Sequence, residues 1–156
     1  MPNSVREQII QDLATAVGNV TTGNGYNNTL VSVQRFLQGG VSVASVPTAV
    51  VNFSEETKTV GPTDRVTNNL YVTIDIWAIH DESQITGSTA TLVDSLASDV
   101  EKAVMQDPTR SGLVRNCYVE SVRPFSLEES SAFSGATLAL RLEYMTDLRD
   151  PFTARN

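Results

Sequence analysis

The first eighteen residues carry the spacing of an amphipathic helix. Ser4 and Glu7 have the spacing of a capping box, in which each side chain satisfies a free amide of the first helical turn. Gly18 can adopt the left-handed conformation that ends a helix. We therefore expect a helix over residues 4–17 whose apolar face packs on a sheet. Its apolar residues recur every four positions: Val5, Ile9, Leu13 and Val17.

Further along the chain, the pattern predicts a second helix and five strands. The helix spans about Thr89–Gln106, and Pro108 ends it. Between the second and third strands, the polar segment Ser54–Asn68 contains Gly61-Pro62 and predicts a long exposed connection. The strands are predicted from β-branched and alternating apolar residues at about residues 29–37, 49–53, 70–79, 114–122 and 136–146.

The third strand has two different faces. The segment Asn69–Glu82 reads NLYVTIDIWAIHDE, and every second residue from Leu70 to Ala78 is apolar, as expected for a face covered by helices. The opposite face mixes aromatic, aliphatic and polar residues, so we predict that it stays open after folding and forms an interface. Its residues are Tyr71, Thr73, Asp75, Trp77 and Ile79.

The element order α-β-β-β-α-β-β predicts an α+β fold. Two amphipathic helices and a mainly antiparallel sheet of four or five strands form a two-layer sandwich with both helices on one face. We expect a single domain over residues 1–146. Residues 147–156 should leave it as an extended C-terminal tail, because Pro151 cannot continue a helix or a central strand.

Composition narrows the function classes. The chain has 156 residues, 40% of them hydrophobic and 19% charged, which are values typical of a globular domain. Its net charge of −7 and its scattered arginines argue against binding nucleic acid through phosphates, although an acidic surface suits a channel through which DNA slides. The N-terminus lacks a signal-peptide pattern, and no apolar run approaches the ~20 residues of a membrane span. We expect a soluble protein made inside the cell.

No reaction motif is present in the sequence. Cys117 is the single cysteine and His80 the single histidine, whereas a metal site normally needs several such ligands. His80 is followed by Asp81 and Glu82, but neighbouring strand positions point to opposite faces. We predict no catalytic, cofactor-binding or metal-binding residues and no enzyme activity. A small-molecule-binding or hydrolytic domain that uses His80, Asp75 and Trp77 is the alternative from another class.

Three features indicate assembly instead. They are the mixed face around Trp77, the polar connection Ser54–Asn68 and a charged tail that carries the apolar Phe152. Together they favour a structural subunit that forms a ring, since heterologous contacts that close make rings.

The chain resembles the tail terminator (tail completion, head–tail joining) proteins of long-tailed bacteriophages. The resemblance spans nearly the whole chain and lies in its pattern: an amphipathic N-terminal helix, strands with a long polar hairpin, and three later segments. Those segments are Tyr71-Val-Thr-Ile-Asp-Ile-Trp-Ala, Leu92-Val-Asp-Ser-Leu-Ala-Ser-Asp-Val-Glu-Lys-Ala-Val and Leu138-Ala-Leu-Arg-Leu-Glu-Tyr-Met-Thr. The segment around Gly39-Gly40 and the loop Phe125–Gly135 have no counterpart in this pattern.

The resemblance implies a non-enzymatic virion protein that forms a homohexameric ring on the tail tube. Such a ring halts tube polymerisation and meets the neck, with the tail tube protein, a connector or head-completion protein and, in contractile tails, the sheath as partners. DNA passes through the lumen only as cargo, no cofactor or membrane is involved, and assembly takes place in the bacterial cytoplasm. Another neck protein or a tube protein is the close alternative. From the pattern we infer the interface residues Tyr71, Asp75, Trp77, Glu55, Glu56, Lys58, Arg65, Arg149 and Phe152.

Overall fold

The computed structural model describes residues 2–35, 47–79, 88–126 and 133–155. The candidate residues His80, Asp81 and Glu82 and the Gly39-Gly40 segment lie outside this part of the chain. The elements in chain order are α1 (Val5–Gly18), β1 (Ser32–Gln34), β2 (Thr48–Val60), β3 (Arg65–Ile79), α2 (Ser88–Met105), β4 (Asn116–Ser126), β5 (Phe133–Asp147) and β6 (Asp150–Ala154).

The strands form one sheet in the order β1-β2-β3-β5-β4, with β6 beside the end of β5. The short β1 runs parallel to β2, and all other neighbours are antiparallel. Apolar residues of α1 and α2 form one core with the sheet face that contains Leu70, Ile74 and Leu140. The predicted α+β class, with two helices on one side of a largely antiparallel sheet, is confirmed. No helix in the described ranges is long and apolar enough to cross a membrane.

The start of α1 matches the prediction in part. Ser4 is the N-cap, and its hydroxyl accepts a hydrogen bond from the backbone N–H of Glu7. The Glu7 carboxylate does not complete the box, because it binds Arg35, a contact that lowers the pKa of Glu7. The predicted left-handed Gly18 is wrong: Gly18 belongs to the helix, and the positive φ angles of described glycines are at Gly25 and Gly112.

The predicted exposed connection Ser54–Asn68 is instead a paired β-hairpin. Strand β2 continues to Val60, turns through residues 61–64 and pairs with β3 down to Val60↔Val66. We call the outer part of this hairpin, residues 54–68, the arm. Polar side chains dominate it because it extends past the helices, so neither of its faces needs to be uniformly apolar.

The C-terminal segment 147–156, predicted as an extended tail, contains β6. This strand pairs with β5 through Thr146↔Ala154 and Asp147↔Asp150, and Ala154 packs against the core. Pro151 is compatible with this position because β6 lies at the edge of the sheet, where a missing N–H breaks no internal ladder.

A buried arginine closes the C-terminal end of α2. Arginine is normally a surface residue, but Arg110 is 1% exposed. Its guanidinium donates to the carbonyl of Val104 and pairs with Asp12 of α1 at 3.2 Å. The side chain therefore satisfies a free helix-end carbonyl and links the two helices. A crevice of about 180 Å³ between α1 and α2 has Arg110 in its wall.

A buried carboxylate fixes the loop that follows α1. Asp99 of α2 is 2% exposed and accepts hydrogen bonds from the backbone N–H groups of Asn27 and Asn28 and from both of their side-chain amides. A carboxylate is the one side chain that accepts all four donors at once.

We expect Asp99→Asn to lower the free energy of unfolding by about 1–2 kcal/mol, because the new amide presents N–H groups where an acceptor is required. Urea unfolding followed by circular dichroism measures this. Asp94→Asn, at an exposed position of the same helix, is the control and should change stability by less than about 0.5 kcal/mol. Equal effects of the two substitutions would show that the hydrogen bonds from Asn27 and Asn28 to Asp99 contribute nothing to stability.

Candidate assembly surfaces

The sheet face opposite the helices is organised in rows that cross the strands. We call it the open face. Its β3 residues are a mixture of aromatic, aliphatic and polar side chains, and across the whole sheet most of its positions are polar. Read from β2 across β3 and β5 to β4, its rows are Thr57-Asn69-Glu143-Asn116, Glu55-Tyr71-Arg141-Tyr118, Asn52-Thr73-Ala139-Ser121, Val50-Asp75-Thr137-Arg123 and Thr48-Trp77-Gly135-Phe125.

Trp77 lies at one end of this face in an aromatic pair. Its ring meets that of Phe125 edge-on, with the centroids 4.9 Å apart. Gly135 lies between them in the row, and a Cβ there would come within 2.7 Å of the Phe125 ring. The absence of a side chain on Gly135 thus allows the rings of β3 and β4 to meet across β5. Trp77 remains half-buried.

Asp75 is held by neighbours on both adjacent strands. The amide of Asn52 donates to one carboxylate oxygen at 3.0 Å, and the hydroxyl of Thr137 donates to the other at 2.6 Å. These contacts connect β2, β3 and β5 across the open face. The Asp75 carboxylate therefore has a structural role, and the described residues contain no group of three or more potential metal ligands.

Tyr71 belongs to a row of aromatic and charged side chains. In register it lies beside Arg141, whose guanidinium stands 4.4 Å from the ring centroid of Tyr118. Arg141 also donates to Glu120 at 2.7 Å, and this hydrogen bond raises the pKa of the guanidinium. The positive charge is therefore paired within the protomer.

The two adjacent glutamates of the arm lie on opposite faces. Glu55 is exposed on the open face, whereas Glu56 points to the helix side and its side chain is only 3% exposed. Its carboxylate accepts from the Tyr144 hydroxyl at 2.6 Å and pairs with Lys58 at 2.6 Å and Arg6 at 3.4 Å. Adjacent glutamates in a polar segment are usually both solvated, but the Glu56 carboxylate is buried.

The environment of Tyr144 keeps its hydroxyl protonated. Burial raises the pKa of Tyr144, and the hydrogen bond to Glu56 raises it further. The hydroxyl therefore donates a hydrogen bond to Glu56 that connects the base of the arm to β5.

The tip of the arm lies beside the turn between β5 and β6. The N–H of Leu148 donates to the carbonyl of Asp64 at 2.7 Å. The predicted residues Arg65 and Arg149 are exposed at this end, and Phe152 of β6 is 49% exposed. The structure therefore places Arg65, Arg149 and Phe152 at one end of the sheet and Tyr71, Asp75 and Trp77 on its open face.

Both long edges of the sheet carry exposed apolar side chains on the helix side. Phe53 on β2 and Val122 on β4 are each 42% exposed, and Val60 on β2 is 60% exposed. Their register partners Val72, Leu138 and Val66 are buried. The helix layer thus covers the central strands and leaves these three positions of the edge strands exposed.

Sequence reasoning missed Phe125, Gly135, Tyr118 and Val122 as parts of these surfaces. A signal was present for one of them: a glycine beside a strand with alternating residues often marks a close approach of other groups. The cross-strand pairing that joins Trp77, Gly135 and Phe125 depends on the sheet order, which the sequence alone did not give. Cys117 is buried, and burial raises the pKa of its thiol.

Comparison with known proteins gives little further information. No family model matches the chain, and no curated protein matches it. Among solved structures, a chain of the virion of a native gene transfer agent particle is similar in fold, with a TM-score of 0.47 and 12% sequence identity. The match covers 90% of this chain and 93% of that one.

Proposed function

We propose that the protein is a non-enzymatic virion subunit that forms a ring at the head-proximal end of a phage tail. In this role it stops polymerisation of the tail tube and joins the tail to the neck. The observation that carries the proposal is the one-sided sheet. Helices cover one face, and the side chains of the other face bind one another in rows, as in Asn52–Asp75–Thr137. Because the polar groups of this face are hydrogen-bonded to one another, the face is suited to a structural surface rather than to a catalytic site.

The proposed partners follow from the arrangement of surfaces. The exposed edges provide contacts with other copies, in a homohexamer as the resemblance implies. The end with the arm tip, Arg149 and Phe152 is the candidate for docking the tail tube protein, the neck or connector protein, or a sheath. Contacts within the ring would bury the open face around Tyr71 and Trp77, and the net charge of −7 keeps DNA that passes through the lumen from adhering.

Two other functions remain as alternatives. Another neck protein, or a tube protein, would use the same surfaces at a different level of the particle. A small-molecule-binding or hydrolytic domain would use Asp75 and Trp77, but both oxygens of Asp75 already accept protein hydrogen bonds and Trp77 packs on Phe125. The contacts therefore favour the structural function.

The test is to delete the gene in the producing cell and to examine the particles by electron microscopy. We expect tails of uncontrolled length that lack heads. A label fused to the protein in complete particles should appear at the head–tail junction. Tails of normal length joined to heads in the deletion strain would contradict the proposal, and a label along the whole tail would identify a tube protein.

A point variant tests the same function more finely. We expect Trp77→Asp to abolish infectious particles. The substitution removes the aromatic contact with Phe125 and puts a second carboxylate on this face, close to Asp75. Trp77→Phe, which keeps a ring at this position, is the control and should retain assembly. Circular dichroism of both purified variants separates failed assembly from failed folding. Normal infectivity of a folded Trp77→Asp variant would exclude this end of the open face from assembly.

A further inference from the structure

We propose that copies of this chain join edge to edge, with the outer edge of β2 in one copy pairing with the outer edge of β4 in the next. The proposal names the contact by which the ring of the proposed function would close, and so rests in part on that function. Its physical basis, however, lies in the two edges themselves.

Both edges have unoccupied ladder positions in the described part of the chain. On the outer side of β2, strand β1 pairs only with residues 48–50, and no described strand lies on that side of residues 51–60. Strand β4 pairs with β5 along one side, and no described strand lies on its other side. Unpaired edges of this length are templates for another strand.

Exposed apolar side chains concentrate on these same edges. Phe53 and Val60 on β2 and Val122 on β4 point to the helix side and remain exposed, although the Arg6 guanidinium of α1 lies over the Phe53 ring at 5.2 Å. Natural edge strands that avoid association carry charges or proline. Here the charged Glu55 and Arg123 lie on the opposite face, and the helix-side positions of Phe53, Val60 and Val122 are apolar. An edge-to-edge joint would bring apolar residues of the two copies together and remove them from water.

The directions of the strands fit a repeating joint. Strands β2, β3, β5 and β4 alternate in direction across the sheet, so β2 and β4 run opposite to each other. When a second copy follows in the same orientation, its β2 lies antiparallel to β4 of the first. The antiparallel ladder thus continues from copy to copy, and the two edges presented are different, as a closing heterologous ring requires.

The charges and the lengths of the two edges are also compatible with this joint. On the open face, the β2 edge presents Glu55 and the β4 edge presents Arg123, both of them exposed. Pro124 removes one outward N–H near the end of β4, so the pairing segment is Asn116–Arg123. Its eight positions fit within the ten free positions of β2, residues 51–60. The occupant of each edge is therefore a second copy of this chain.

The test uses one lysine variant for each edge and the full chain. Val122→Lys blocks the β4 edge, and Phe53→Lys blocks the β2 edge; Val60→Lys is a second variant of the β2 edge. Light scattering coupled to size exclusion measures the mass of each protein across a concentration series. We expect the wild-type chain to form oligomers and each variant to associate at least about tenfold more weakly, since a lost apolar contact of this size changes affinity by that order.

Mixing the two blocked proteins identifies the geometry. Val122→Lys retains a usable β2 edge and Phe53→Lys a usable β4 edge, so an equimolar mixture should yield dimers that do not grow further. If Val122→Lys alone forms dimers as strongly as the wild type, the joint does not use β4 and the proposal is wrong. A mixture that stays monomeric also overturns it.

The control is Met105→Lys, which places the same charge at a 40% exposed apolar residue of α2, away from both edges. It should associate like the wild type, and thermal unfolding should show all variants folded. A wild-type chain that is monomeric at every concentration would refute the edge joint. It would leave the virion function standing if gene deletion still gave tails of uncontrolled length.

Discussion

Replacing Gly135 with alanine is expected to lower the free energy of unfolding by at least about 3 kcal/mol, the upper range for overpacking a close contact. A Cβ at this position would collide with the carbonyl oxygen of Ile76 in β3 and would lie 2.7 Å from the Phe125 ring. The first neighbour is backbone in the central strand and cannot rotate away. Either β3 and β5 separate locally, or the Trp77–Phe125 pair is lost.

Urea unfolding followed by tryptophan fluorescence measures this effect, and Trp77 is the single tryptophan of the chain. With an m-value of about 2 kcal/mol/M, the midpoint should fall by about 1.5 M. Gly18→Ala is the matched control, because Gly18 lies in α1 and a Cβ there meets only Val33 at 3.9 Å. It should be neutral or stabilising by up to about 1 kcal/mol. A Gly135→Ala variant as stable as the wild type would show that β5 does not approach β3 so closely.

Replacing Glu56 with alanine is expected to cost about 2–3 kcal/mol. The substitution leaves the buried Tyr144 hydroxyl without its acceptor, and such an orphaned group carries its full desolvation cost. Lys58 is half exposed and returns to water, so its lost pair contributes little. The base of the arm should loosen while the helices remain in place.

Equilibrium unfolding of four proteins isolates this contact: wild type, Glu56→Ala, Tyr144→Phe and the double variant. We expect a coupling energy of about 1–2 kcal/mol between the two residues. Glu55→Ala, one residue away on the open face and exposed, should change stability by less than about 0.5 kcal/mol. Additive effects of Glu56→Ala and Tyr144→Phe would mean that the hydrogen bond does not stabilise the fold.

The parts of the fold with one buried face were predictable from the sequence. The spacing of apolar residues gave α1 nearly to the residue, and α2 was predicted as 89–106 where the structure has Ser88–Met105. The alternation from Leu70 to Ala78 correctly assigned the covered face of β3. In each case burial imposes a period on the sequence that a reader can detect.

The arm was not predictable in this way. Residues 54–60 of β2 pair with β3 but are mostly exposed, so their side chains carry no simple apolar alternation. The burial of Glu56 depends on Tyr144, which is 88 positions away in the chain. The parallel pairing of β1 likewise depends on contacts between Ser32 and Thr48 that the local pattern does not encode.

The candidate surfaces were predictable only along single strands. Tyr71, Asp75 and Trp77 were correctly placed on one face of β3, but the character of that face comes from β2, β5 and β4 as well. The polar residues that those strands add, such as Asn52, Thr137 and Arg123, make it mainly polar. The burial of Arg110 was not predictable either, because the sequence around a buried arginine at a helix end does not differ from that around an exposed one.

The two strands of the arm are the same strands that cross the core, without a break in pairing other than the bulge between Phe53 and Glu55. A load applied at the tip is therefore carried directly into the centre of the molecule. The bond between Leu148 and Asp64 shares that load with the next hairpin. The arm and the part of the sheet that packs on the helices are therefore one continuous hydrogen-bonded unit, and a force at the tip would be transmitted along its backbone.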